Sequence, residues 1–201
     1  VVRPNFAEEA DNREHLATYY AMIENLDWNI GRLHDHLATK PDYAGGNTLT
    51  VYFSDHGEFA GSHGRFCRKE HPHEESTRIP AIFHWPGHIP ARGVVGADEG
   101  MFSLVDLQCT TVDLLGLKIP PWNQGTSFAP LLRGESFTPP GTIFLEMHGS
   151  PRWTLDFPDW RGFVDRTTKY AFYENGDEVL FDLEADPYEL TNLASSQPQR
   201  I

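Results

Sequence analysis

Leu16, Tyr20, Ile23, Leu26, Ile30, Leu33 and Leu37 recur at spacings of three and four, which predicts one amphipathic helix over residues 13–38. Gly45-Gly46-Asn47 then breaks the pattern. Thr48-Leu49-Thr50-Val51-Tyr52-Phe53, rich in β-branched and aromatic residues, reads as a buried strand. A second short strand is expected over Ile79-Pro80-Ala81-Ile82-Phe83-His84, ended by Trp85-Pro86-Gly87. A second helix is expected over 102–115, with Leu104, Leu107, Val112 and Leu115 among its apolar residues and Gly116 where a C-terminal glycine stops a helix. Helix, strand, loop, strand, helix is the rhythm of a layered α/β fold.

The character changes after Gly134. Thr142-Ile143-Phe144-Leu145, Gly162-Phe163-Val164, Tyr170-Ala171-Phe172-Tyr173 and Val179-Leu180-Phe181 read as short strands with no helix between them. That pattern predicts an antiparallel sheet, and Asn175-Gly176 predicts a hairpin between the last two. Pro139-Pro140-Gly141 supplies a linker, so the chain divides into residues 1–138 and a small subdomain, 139–201. Asp186-Pro187 followed by Glu189-Leu190 suggests a short terminal helix.

A hydrophobic content of 39% with 12% aromatics, over 201 residues, is that of a globular chain with one sizeable core. The net charge of −13 argues against a nucleic-acid partner, which calls for a basic face. It leaves room for an anionic substrate, because a metal ion or a single lysine reverses the local field. No apolar run approaches the roughly 18 residues needed to span a bilayer. Cys67 and Cys109 are too few for a disulfide framework and leave the compartment open.

The chemistry concentrates directly after the first strand, in Ser54-Asp55-His56-Gly57-Glu58. In a mostly parallel sheet, ligands bind at the carboxyl ends of strands. A carboxylate and an imidazole side by side there can both reach a divalent cation if the backbone turns sharply, which Gly57 allows. Gly64-Arg65-Phe66-Cys67-Arg68-Lys69 and Glu70-His71-Pro72-His73-Glu74-Glu75-Ser76 follow. Cys67 with His63, His71 and His73 matches no familiar zinc spacing.

Ser54-Asp55-His56-Gly57-Glu58, Gly61-Ser62-His63-Gly64, Lys69, Glu74-Glu75-Ser76-Thr77-Arg78-Ile79-Pro80 and Trp85-Pro86-Gly87 together resemble the sulfatase family in order and spacing. The likeness extends over nearly the whole chain. Tyr19-Tyr20-Ala21-Met22-Ile23-Glu24 with Asp27 and Gly31 is similar to the family's preceding helix. Ser103-Leu104-Val105-Asp106-Leu107 and Gly125-Thr126-Ser127 are similar to its later helix and loop, and the stretch from Phe181 to Leu193 to its C-terminal signature. The resemblance implies an α/β fold, the C-terminal part of an alkaline-phosphatase-like sandwich with a small antiparallel-sheet subdomain. It implies hydrolysis of a sulfate ester, on a small molecule or a glycan. Asp55 and His56 match two ligands of a divalent metal, most often calcium, and Lys69 matches the lysine that contacts the sulfate. A cation and an ammonium suit a reaction in which negative charge develops on the leaving oxygen.

The family nucleophile is a formylglycine made within Cys/Ser-x-Pro-x-Arg. Neither Cys67-Arg68-Lys69 nor Cys109-Thr110-Thr111 fits, and Ser150-Pro151-Arg152 has the wrong spacing. The nucleophile and two further aspartates of the metal site are therefore expected in an N-terminal part of the same polypeptide, upstream of Val1. His56 stands where many members have Asn. That variant, shared with phosphonate monoester and phosphodiester hydrolases of the superfamily, widens the candidate metals to manganese and zinc. A module that keeps the fold without catalysis is the third reading. His71 and His63 are candidates for a general acid beside the leaving group, and His73 is expected to pack structurally.

Overall fold

The three-and-four spacing is realised as one helix, α1, Ala10–Ala38. The structure, a computed structural model, describes residues 3–7, 10–44, 46–65, 69–96, 98–148 and 158–200. Cys67 and Ser150-Pro151-Arg152 lie outside that set. The chain forms two compact units, Val1–Ile89 and Pro90–Ile201.

In the first unit, α1 is followed by the short helix α2, Pro41–Ala44, strand β1, Thr50–Phe53, helix α3, Glu74–Thr77, and strand β2, Ala81–His84. Much of the apolar stripe of α1 stays open: Tyr20, Ile23, Leu26, Ile30 and Leu33 are exposed. β1 and β2 pair antiparallel, Thr50 opposite His84 and Phe53 opposite Ala81. A parallel return needs a crossover that carries the chain to the opposite end of the strand. Here the Gly57 N–H donates to Ser76 O at 2.8 Å, which folds the connection back on the carboxyl end of β1. β2 therefore starts at the end where β1 stops. Buried Trp85 closes the pair by donating its indole N–H to Gly46 O, 2.8 Å away, just before β1.

The second unit opens with α4, Val105–Leu114, and α5, Ala129–Arg133. Gly116 has φ +69°, and the N–H groups of Gly116 and Leu117 donate to Asp113 O and Val112 O, so the glycine stop is a Schellman cap. The buried side of α4 is not simply its apolar one. Asp106, Cys109, Thr110 and Leu114 face inward, whereas Leu104 and Leu115 are exposed. Asp106 explains this: its carboxylate accepts from the backbone of Ser103 at 2.9 Å and of Thr126 at 2.7 Å, anchoring the first turn and the Gly125-Thr126-Ser127 loop. A Cβ at Gly125 would lie 2.2 Å from Val105 O, so only glycine lets that loop approach the helix.

Four strands then form an antiparallel meander in chain order: β3, Ile143–Met147, β4, Trp160–Val164, β5, Thr168–Tyr173, and β6, Glu178–Asp182. This is the antiparallel sheet expected after Gly134. Trp160, Ala171 and Tyr173, with Leu145, Met147 and Val179, pack on one face, the alternation a half-buried sheet demands. Asn175-Gly176 forms the predicted hairpin, Gly176 at φ +91° and its N–H on Tyr173 O.

The terminal helix expected around 186–190 is absent; the regular helical turn of the tail is a 3₁₀ turn, Pro198–Arg200. Two interactions hold residues 182–191 in turns instead. The Asp182 carboxylate accepts from the Glu184 and Ala185 N–H groups, and the Asp186 carboxylate from that of Thr191. Glu189 takes a left-handed φ of +53°, with its carboxylate 2.8 Å from Lys169 Nζ and both side chains fully buried.

Candidate active site

The site is assembled at the carboxyl end of β1. Ser54 Oγ donates to His56 O at 2.7 Å and the His56 N–H donates to Asp55 Oδ1 at 3.0 Å, closing a tight turn from side chains two residues apart. Gly57 is needed there for a reason other than a left-handed turn. A Cβ at Gly57 would lie 1.9 Å from Glu75 O, so the backbone after His56 seats directly on α3. Ser76 ties the third element in, its Oγ donating to Lys69 O.

This frame brings Asp55, His56 and Lys69 together. His56 Nδ1 faces Gly57 O at 2.8 Å, and a carbonyl only accepts, so the hydrogen-bond network assigns the ring proton to Nδ1. The lone pair on Nε2 is left to face Lys69 Nζ at 3.0 Å and Asp55 Oδ2 at 3.5 Å. The Asp55 side chain is 81% exposed and that of His56 39%, so the cluster opens to solvent among the described residues. A basic nitrogen and a carboxylate on one side suit a divalent cation, and the adjacent ammonium suits an anion held by that cation. Two protein donors fall short of the roughly six to eight oxygens calcium takes, so further ligands are required.

The histidines gather around Phe59. Phe59 is 1% exposed and has the rings of His63, His71 and His73 against it, centroids 6.0, 5.7 and 5.5 Å away. His73 is buried and its ring stands 4.6 Å from that of His63, the structural packing anticipated for it. Arg65 Nη1 lies 2.6 Å from His71 Nε2; a guanidinium only donates, so that nitrogen accepts and any transferable proton of a neutral His71 is on Nδ1. His63 Nε2 accepts from Asn5 Nδ2 at 3.0 Å and stands 3.7 Å from Glu75 Oε2. Buried Glu75 also receives Arg3 Nη1 at 3.0 Å and Asn5 Nδ2 at 2.8 Å, which fastens the chain's first described segment to α3. Burial and then the neighbouring charges of Glu58 and Tyr52 hold the Tyr19 phenol above its ordinary pKa, which sets α1 next to the same loop.

Reading by residue type found Asp55 and His56, and the family resemblance added Lys69, but the roles of Ser76, Glu75, Arg3 and Asn5 were passed over because they depend on contacts between distant segments. It also passed over Ser196-Gln197-Pro198-Gln199-Arg200, which has the spacing Ser-x-Pro-x-Arg. That stretch belongs to the second unit. Its serine hydroxyl donates to Leu193 O at 3.2 Å and its arginine binds Asp182 at 3.1 Å, so both are engaged in holding the tail.

Two family models match the chain: Sulfatase over residues 3–117, and N-sulphoglucosamine sulphohydrolase, C-terminal, over residues 61–200. Arylsulfatase K of Xenopus laevis is 34% identical over 204 residues, covering 96% of this chain and 36% of that protein. A solved structure described as a complex with its substrate D-glucosamine-2-N,6-O-disulfate has a TM-score of 0.76 at 29% identity, over 90% of this chain and 37% of the other. The phosphonate monoester hydrolase of Agrobacterium radiobacter has a TM-score of 0.75 at 26% identity, again over 90% and 37%. The chain thus spans about a third of the length of the curated relatives it matches.

Proposed function

Because this chain belongs to the sulfatase family, we propose that it is part of a metal-dependent sulfuric ester hydrolase that cleaves the S–O bond of a sulfate ester. The observation that carries this is the convergence of Lys69 Nζ and the Asp55 carboxylate on His56 Nε2, at 3.0 and 3.5 Å. His56 Nε2 and an Asp55 oxygen would hold the metal; calcium fits if oxygen ligands complete the site, and manganese or zinc suit the imidazole as well. When bound, a divalent cation supplies positive charge to the sulfuryl oxygens. Lys69 contributes a point charge on the same group and steadies the anion that develops as the ester bond breaks. The formylglycine nucleophile and the remaining metal ligands belong to a part of the polypeptide preceding Val1.

Within this reading, residues 1–138 are the C-terminal portion of the catalytic domain and 139–201 the small subdomain built on β3–β6. The compact unit Pro90–Ile201 groups α4 and α5 with that sheet, so the division at 138 rests on the family's architecture. His71 and His63 brace the segment carrying Lys69 through Phe59, Arg65 and Glu75, and are also placed to be tested as general acids. The substrate class is a sulfated glycan or small molecule, in keeping with the glucosamine disulfate of the similar complex.

A second reading, phosphonate monoester hydrolysis, rests on His56 standing where many members of the family have Asn. Purified full-length enzyme assayed on a sulfate ester and a phosphonate monoester, with calcium, manganese or zinc after chelation, decides between them. Higher kcat/KM on the sulfate ester is expected; preference for the phosphonate would reverse the assignment, and no metal-dependent turnover of either would leave a fold without catalysis. In the same enzyme, pH–rate profiles of His71→Ala and His63→Ala that keep the wild-type shape assign both histidines to bracing alone.

A further inference from the structure

We propose that Ser76 is a positioning residue that couples Lys69 to the metal-ligand turn. The inference rests on the reading of Lys69 as the contact to the substrate anion. Ser76 is 5% exposed and has two links of opposite direction. Its carbonyl accepts the Gly57 N–H at 2.8 Å, and its hydroxyl donates to Lys69 O. Gly57 follows Asp55 and His56 directly, so one residue holds the backbone of the cation-binding turn on one side and the backbone of Lys69 on the other. Its own place is fixed by the helical turn it closes, with its N–H on His73 O at 2.9 Å.

The chemistry requires such a brace. Lys69 is exposed, lies outside any helix or strand and has a long, flexible side chain, so the position of its ammonium is only as well defined as its backbone. The metal ligands and the ammonium must address the same small anion, and misplacement of a catalytic group by about 1 Å lowers rates by on the order of 100-fold. A hydroxyl at position 76 satisfies the Lys69 carbonyl without adding charge beside the site, and alanine would leave that carbonyl without this donor. Substitution of the side chain keeps the bond from Gly57, since it is made by the backbone carbonyl. Substituting Ser76 therefore separates the two links: the turn stays docked and Lys69 loses its anchor.

The test is a double-mutant cycle in the full-length, metal-loaded enzyme, with Ser76→Ala, Ser76→Thr, Lys69→Ala and the Ser76→Ala/Lys69→Ala pair. Ser76→Ala is expected to lower kcat by about 10- to 100-fold with metal affinity within about threefold of wild type by calorimetry. Ser76→Thr, which keeps the hydroxyl, is expected to recover most of that loss. In the Lys69→Ala background the Ser76→Ala step should have little further effect, because a residue acting through Lys69 has nothing left to position. A purely structural serine would lower kcat by the same factor in both backgrounds, or weaken metal binding in step with turnover; either result overturns the proposal, as does wild-type kcat in Ser76→Ala. Should Ser76→Ala fail to fold, Ser76→Cys, nearly isosteric with only a weak donor, carries the same comparison. Lys69→Ala with wild-type kinetics instead refutes the reading of Lys69 itself, and the inference falls with it.

Discussion

Replacing Gly57 by alanine adds one carbon, and the geometry says where it goes. The new Cβ would stand 1.9 Å from Glu75 O and 3.0 Å from Glu75 C. Ordinary carbon contacts begin at about 3.5 Å, so the turn and α3 must part by roughly 1.5 Å, and backbone on both sides leaves no flexible side chain to yield. Overpacking of this kind costs about 1–3 kcal/mol, and the reduced freedom of the unfolded chain returns roughly 0.4–1 kcal/mol. The net loss of stability is therefore modest, on the order of 1–2 kcal/mol. The functional loss is larger, because the same displacement moves Asp55 and His56 relative to Lys69, and an error of about 1 Å in such a site is worth on the order of 100-fold in rate. The assay is steady-state turnover of an aryl sulfate by full-length Gly57→Ala, with metal affinity and the denaturation midpoint measured on the same preparation. A fall in kcat/KM of two orders of magnitude with a small midpoint shift is expected. Turnover within threefold of wild type would refute the argument that this turn is positioned by contact with α3.

Lys169→Met removes the buried ion pair with Glu189 and is expected to destabilise by about 3–5 kcal/mol in denaturant unfolding, whereas Lys169→Met/Glu189→Leu recovers most of it; a single-mutant loss below about 1 kcal/mol would contradict this. The Asp182 carboxyl is held below its ordinary 3.8, first by the Ala185 N–H and then by Arg200. A depressed carboxyl contributes stability above 3.8 that is lost as pH falls through the lowered value, so an NMR titration should place its midpoint below 3.8 and Arg200→Gln should raise it only in part. A polypeptide of these 201 residues alone is expected to show no turnover of an aryl sulfate with any divalent metal, and measurable turnover by pure material would contradict an external nucleophile.

Local patterns carried much of the fold into the sequence. The three-and-four spacing of Leu16 to Leu37 marks α1, Asn175-Gly176 marks the β5–β6 hairpin, and Gly116 marks the end of α4, because each depends on residues within a few positions of one another. The direction of β2 was not legible. It is decided by the Gly57–Ser76 bond across the connection, and nothing in either strand encodes it. The buried face of α4 was not legible from its apolar residues alone, because Asp106 turns inward to satisfy two backbone donors. The helix expected near Asp186 gave way to Glu189, drawn to a buried lysine twenty residues earlier. At the candidate site, the groups with distinctive chemistry were readable as types, and the serine and glycine that hold them were not, since their meaning lies in what they touch.

One metal–anion site formed by Asp55, His56 and Lys69 is central to the proposed chemistry. Crystals of the full-length enzyme grown with manganese and sulfate, with data collected at the manganese edge, examine it directly. The expected result is an anomalous peak within about 2.3 Å of His56 Nε2 and an Asp55 oxygen, with a sulfate oxygen on the metal and Lys69 Nζ within about 3.2 Å of the same anion. An anomalous peak on other ligands, or a sulfate bound to the metal with Lys69 turned to solvent, would contradict it.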